Sequence, residues 1–385
     1  MLFKDVLVDP QLKRQILHQI HENRISHAQF FLAQSGNHAF ALAVAMAQYL
    51  SCEHPTDEDS CGHCPSCMQF EKLAHPDLHI YFPNCTTKDI KKDPDSQQFA
   101  QQFRDFVFKH NYHIDIQDWL KELDGENKQA TINIRDCSHI INQNSTRSYA
   151  GGYKTYILWN VDRLYHAAAP KLLKTLEEPE SNSLFILISE KPDLILSTIL
   201  SRTQLVKIPR LTPLEIANAL KNLYPDIDSN KAKDIALLSD GDYNKALKIY
   251  EDDTDLEAML EAFSIMMNSV VALATKHPLT DVDYESTQNM FDTIVKQGRE
   301  YQKQFIQFIL RMLRNILMVN QGHEAIIKAT EKELSVIGNF KKVFNLKHIS
   351  IMTEECNNAI YHINRNGNSS LIFTDLYFRL ANALK

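Results

Sequence analysis

The chain has 385 residues, 44% of them hydrophobic and 23% charged, with a net charge of −7. This length excludes one ordinary domain, and this balance excludes a disordered or collagen-like chain. The acidic charge argues against a protein living on phosphate contacts alone, so any nucleic-acid contact is local or shared with partner chains. The opening Met-Leu-Phe-Lys-Asp lacks the apolar core of a secretory signal. The apolar stretch from Ala39 to Leu50 is too short to cross a bilayer. A cytoplasmic location without a membrane partner is expected.

The first half alternates apolar runs with helical stretches. Ala28–Ala33 reads as a buried strand, Phe40–Leu50 as a helix, and Leu78–Phe82 as a short strand. Residues 84–130, with Lys88, Lys91, Lys92, several Gln and Asp and a few aromatics, read as a surface insertion with a helix of its own. Gly151-Gly152 supplies a turn into the strand Tyr153–Trp159, and Ala167–Glu178 is helical, stopped by Pro179. Leu184–Ser189 and Leu205–Ile208 are further strands. Strands alternating with helices imply a parallel sheet in an α/β domain over 1–209. Beyond Pro209, Thr212 caps a helix, with Pro213 at its first position and Glu215 three after the cap. From there no convincing strand occurs. Phe305, Phe308, Ile309, Met312, Leu313, Ile316 and Leu317 fall on one helical face, away from Arg311 and Arg314. A break near Glu251-Asp252-Asp253 divides a small helical domain, 210–252, from a larger one, 253–385.

Four of the seven cysteines, Cys52, Cys61, Cys64 and Cys67, lie close together. Two overlapping C-x-x-C turns bring three thiols to one point, and the fourth ends the preceding helix. Four thiolates in a closed tetrahedral shell suit structural Zn²⁺, with an iron–sulfur cluster or a redox pair as chemical competitors. His54, His63 and His75 lie nearby and read as surface residues. Cys85, Cys137 and Cys356 read as buried free thiols.

A strand, a turn and an apolar helix are where a phosphate-binding loop sits. Such a loop needs glycines, a lysine and a hydroxyl. The turn here is Ala33-Gln34-Ser35-Gly36-Asn37-His38-Ala39-Phe40, with one glycine and no lysine. By itself it equally fits a loop that never bound phosphate. The strand at 156–159 ends in Trp159-Asn160 rather than in the acids that hold Mg²⁺, although Asp162 follows two positions on. Both departures predict no ATP hydrolysis by the chain itself.

Ala167 to Pro179 contains Leu-Leu-Lys-Thr-Leu-Glu-Glu-Pro, an amphipathic helix in which Lys174 can pair with Glu177 and Glu178. This text resembles a hallmark of the clamp-loader AAA+ subunits of bacterial DNA polymerase III. Arg24-Ile-Ser-His-Ala28, the Cys52 and Cys61–Cys67 module, His75-Pro76-Asp77, Ile134-Arg135-Asp136 and Ser201-Arg202-Thr203-Gln204 resemble family segments in the same order. The resemblance covers roughly 5–209. Aligned on it, Ala39-Phe40 stand where the motor subunits carry Lys-Thr, and Trp159-Asn160 where they carry acids. These departures favour the delta-prime branch over gamma/tau motors, and the zinc cysteines argue against a delta subunit.

The resemblance implies a RecA-like AAA+ α/β domain with an inserted zinc module, an all-α lid and an all-α collar that oligomerises. It implies gamma/tau motor and delta subunits, a sliding clamp and primer–template DNA as partners of the assembly, in a bacterial replisome. It makes Arg202 an arginine finger acting in trans on a neighbour's ATP, with Thr203 replacing the usual cysteine. From position alone, the favoured reading of Arg202 is pairing with a carboxylate at a helix end; the flanking family segments favour the finger. A motor-type ATP-binding subunit, a zinc-containing DNA-binding protein acting alone, and a structural AAA+ adaptor outside replication stand as alternatives. Lys171 and Lys174 read as solvated helix charges.

Overall fold

The computed structural model describes the chain except residues 35, 126–127, 252–255, 276–280, 325–326, 328 and 366, and the side chains of 281–283 and 300. Five strands, β1 (Ala28–Leu32), β2 (Leu78–Tyr81), β3 (Lys154–Trp159), β4 (Ser183–Ser189) and β5 (Gln204–Lys207), pair in the order β2-β3-β4-β1-β5. Every pairing is parallel, as strand–helix alternation requires. β3 and β4 are buried along their whole length, whereas β5 is an exposed edge. The fold is the expected AAA+ α/β arrangement.

The chain forms two compact units, Met1–Lys248 and Ile249–Lys385. The helices Pro213–Leu223, Ser229–Leu238 and Tyr243–Glu251 follow the sheet. The first carries the expected capping box. Thr212 Oγ1 accepts from the Glu215 amide at 3.3 Å, and Glu215 Oε2 accepts from the Thr212 amide at 2.8 Å. The division expected at Glu251-Asp252-Asp253 falls partly on residues 252–253, outside the described residues.

In the second unit every element among the described residues is a helix. Phe305, Phe308, Ile309, Met312, Leu313 and Ile316 are buried as their spacing demands, and Leu317 packs beside them partly covered. Arg311 Nη1 donates to Glu333 Oε2 at 3.1 Å from the edge of that core. Helix Leu256–Ala274 is long and apolar enough to cross a membrane by composition, a point the sequence reading passed over. Its Met259, Phe263, Met266, Met267 and Val270 are core residues of this unit, which accounts for the composition.

The insertion differs from expectation. Residues 84–130 are not a surface elaboration. They fold into the helices Ala100–Lys109 and Ile116–Glu122 and bury Phe99, Phe103, Phe106 and Trp119. Phe103 stacks on Phe82 with centroids 3.9 Å apart and meets Phe40 and Trp159 edge-on or tilted at 5.8 and 5.6 Å. Trp119 Nε1 donates to the Pro83 carbonyl at 2.8 Å, so its one polar atom is satisfied. The cause lies in helix Ala39–Leu50, whose residues Ala39 to Tyr49 are all buried. A helix apolar on every side must be covered on every side. The sheet covers one face and the insertion covers another.

Buried Asp136 ties the insertion to the sheet domain. Its carboxylate accepts from the Ser96 amide (2.7 Å), Asn84 Nδ2 (3.0 Å) and the Asn133 amide (3.0 Å). Burial pushes this carboxyl upward, and those donors oppose it.

Candidate metal centre and the closed nucleotide site

The sulfurs of Cys52, Cys61, Cys64 and Cys67 all lie within 4.8 Å of one another. Cys61 and Cys67 are 3.9 Å apart. Tetrahedral thiolates about 2.3 Å from one ion stand roughly 3.8 Å apart, so the donor set fits a metal ion. Backbone amides reinforce it. Cys61 N donates to Cys52 Sγ (3.2 Å), Cys64 N to Cys61 Sγ (3.4 Å) and Cys67 N to Cys64 Sγ (3.4 Å). Without metal, burial pushes the Cys67 thiol up, while the amides of His63 and Cys64 draw Cys61 down to about 6. Gly62 turns the knuckle at φ +77°, a conformation glycine adopts freely.

His54 and His63 are exposed, but His75 is not the expected surface residue. It is buried, stacked on Phe70 at 4.5 Å, and its Nδ1 accepts from the Asp77 amide at 3.2 Å. Cys85, Cys137 and Cys356 are buried free thiols, as read; burial pushes both Cys137 and Cys356 up to about 12.

The carboxyl ends of β1, β3 and β4 converge where α/β proteins bind ligands. Here that crevice is filled at its phosphate-loop end, while a groove of about 730 Å³ along Leu32, Gln34, Glu190, Lys207 and Arg210 adjoins it. The cavity left at the phosphate-loop end is about 30 Å³, among Gly36, Asn37, Tyr112, Trp159, Asn160 and Glu190. That is about the volume of one water, against the several hundred Å³ of a ligand pocket. Phe40 and Trp159 line that cavity as buried apolar side chains, where phosphate binding needs polar ones. Asn160 is left-handed at φ +54°, and Asp162 Oδ1 accepts from Ser189 Oγ at 2.6 Å. Ser35 lies outside the described residues.

Gly36 owes its place to packing. At φ +77° its carbonyl accepts from the Tyr243 amide at 3.1 Å, and a Cβ there would sit 1.8 Å from Asp242 Oδ1. The first amide of helix Ala39–Leu50, where a phosphate would dock, donates to Asn37 Oδ1 at 3.2 Å. No cation lines the cavity among the described residues, whereas Asp115 and Glu190 do. Burial first, then the carboxylates of Asp115, Asp162 and Asp242, push Glu190 up to about 7. A triphosphate would meet like charge.

His38 and His113, which sequence reasoning missed, stack at 3.6 Å beside this crevice. His38 Nδ1 accepts from the Leu7 amide at 2.8 Å. Burial lowers His38 to about 3, with Lys13 adding to the effect and the Asn111 backbone opposing it; burial and His38 hold His113 well below its ordinary value. The folded chain therefore binds fewer protons than the unfolded one below about pH 6.5, and stability must fall with pH. By pH 5 His38 is expected to cost about 2 kcal/mol, and His113 acts in the same direction. Glu190 acts in the opposite sense, but it retains solvent contact, so its offset is small. Urea midpoints should drop between pH 7.5 and 5, and His113→Gln should flatten the dependence; equal midpoints would contradict this.

Arg202 is half-buried and already partnered. Its Nε and Nη2 bond the Glu177 carboxylate, and its Nη1 donates to the Thr198 carbonyl at 2.7 Å. Glu177 ends helix Ala169–Glu177, so the anticipated Lys174–Glu177 pair is replaced by one with Arg202. The carboxylate reading of Arg202 describes the isolated chain.

Residues 8–212 match the family model described as DNA polymerase III, delta subunit. The chain is 23% identical to the DNA polymerase III subunit delta' of Bacillus subtilis over 317 residues, covering 82% of this chain and 79% of that protein. It is 27% identical to the Escherichia coli subunit delta' over 179 residues, covering 46% of this chain and only 41% of that relative. A solved DNA polymerase III gamma subunit-related protein of Thermotoga maritima aligns over 97% of this chain and 100% of its own, at 15% identity and a TM-score of 0.38. With the matched segment ending where the sheet domain ends, the chain belongs to the DNA polymerase III delta-subunit family, as a clamp-loader subunit of the delta-prime type.

Proposed function

We propose that this chain is a non-hydrolysing member of a clamp-loader ring that completes a neighbouring subunit's ATPase site. The observation that carries the reading is the filled phosphate-loop end of the crevice, about 30 Å³ with Asp115 and Glu190 on its lining and no lysine, in a chain that keeps Arg202 at a surface corner. A guanidinium stabilises charge on transferring phosphoryl oxygens, and it does so equally well from an adjacent subunit. A neighbour's triphosphate competes with Glu177 for the same guanidinium. The partners are gamma/tau motor and delta subunits, with the sliding clamp and primer–template DNA engaged by the whole assembly in the cytoplasmic replisome.

Zn²⁺ is the metal of the four-cysteine module, because a closed thiolate shell at this spacing suits it and leaves no open position for chemistry. The helices of 213–251 are the lid, and residues 253–385 form the collar that joins the ring. The reading is tested by reconstituting the loader with and without this chain and measuring clamp loading on primed DNA. Omission should abolish loading while the motor subunits still bind ATP. Undiminished loading without the chain would refute it.

A further inference from the structure

We propose that segment 84–130 is a built-in occupant of the nucleotide crevice that also braces the helices of 213–251, taking the bridging place a bound nucleotide would hold. This inference rests on the nucleotide-free reading above. Three observations converge on it. Tyr112, Ile114 and Ile116 of the segment line what is left of the crevice. His113 lies between its two sides, stacked on His38 at the start of helix Ala39–Leu50 and meeting Tyr243 of the third following helix at 4.4 Å. Asp118, on the segment's second helix, accepts from Lys248 Nζ at 2.8 Å on that same third helix.

The backbone carries a matching signature. Asn111 and Tyr112 are consecutive left-handed residues, at φ +46° and +65°. A bulky residue rarely adopts this conformation, and it persists only where surrounding contacts over-determine it. Tyr112 is buried against Phe40, with centroids 6.4 Å apart, so packing in the crevice holds the turn. A nucleotide that bridges a phosphate loop and a small helical module can come and go, and so can shift the module between states. A covalent segment cannot leave. The module is then fixed on the sheet domain whatever the nucleotide concentration.

The test is hydrogen exchange of the full chain, read in helix Tyr243–Glu251 with β3 as internal reference. His113→Ala should speed exchange in that helix about tenfold while leaving β3 unchanged. Lys248→Asp should speed it about threefold, and the charge-swapped pair Asp118→Lys with Lys248→Asp should recover wild-type protection. Wild-type exchange in that helix for both single variants would overturn the brace. So would a uniform rise that includes β3, since it would mark general destabilisation. Millimolar MgATP should leave exchange unchanged in the wild type. Protection by MgATP would overturn the nucleotide-free reading, which the variant arms do not depend on.

Discussion

Arg202→Ala should leave the chain folded and able to assemble, yet lower turnover at the ATPase site it borders by about 10³-fold or more. The two magnitudes separate the roles. The Arg202 side chain keeps about a third of its exposure and Glu177 more, and such surface pairs contribute about 0–1 kcal/mol. A thousandfold loss corresponds to about 4 kcal/mol of transition-state stabilisation, which that pair cannot supply. Arg202→Lys should not rescue, because an ammonium lacks the planar fork. Glu177→Gln should keep or raise the rate, since it removes only the competing carboxylate. The measurement is DNA- and clamp-stimulated ATPase of a loader carrying each variant. Full activity in Arg202→Ala would demote the residue to a helix-end pairing.

Metal removal is the second large effect. Zinc bound by thiolates supplies on the order of 10 kcal/mol to a small module. This module has little other core, with Phe70 its main buried anchor. Its loss should spread. Asp59 accepts from the amides of Phe3 and Lys4 at 2.9 and 3.0 Å, and Gln48 joins Ser60 at 2.9 Å to the N-terminal amine at 2.9 Å. Chelation, or Cys64→Ser, should therefore release residues 1–5 and 52–71 to rapid proteolysis and lower the thermal midpoint by several degrees or more. Elemental analysis should give one zinc per chain. A chain that keeps its midpoint and its protease resistance without metal would contradict a structural role.

What the sequence made legible follows physical lines. Parallel strands announced themselves because both faces are buried, so residues 156–159 of β3 and 184–188 of β4 read as unbroken apolar runs. The cysteine module was legible because close spacing in sequence is close spacing in space. The insertion was misread, because its aromatics are diluted among Lys, Gln and Asp that face outward. The telling sign lay elsewhere, in Ala39 to Tyr49, a helix with no polar face that had to be covered. His38 meets His113, and Gly36 meets Asp242, only across long separations, and no local pattern announces such contacts. The single surviving glycine looked like a remnant of phosphate binding, yet its geometry answers to Asp242 and Tyr243. Glu177 pairs with Arg202 rather than Lys174, a choice that helical spacing alone could not make.

The most direct test of the central claim is equilibrium titration of the isolated, metal-loaded chain with a fluorescent ATP analogue and Mg²⁺. A phosphate-loop end reduced to about 30 Å³, with Asp115 and Glu190 on its lining and no cation, predicts no saturable binding up to millimolar nucleotide. Saturable micromolar binding, displaced by ATP, would mean that the crevice opens, and the chain would then belong with the motors rather than beside them.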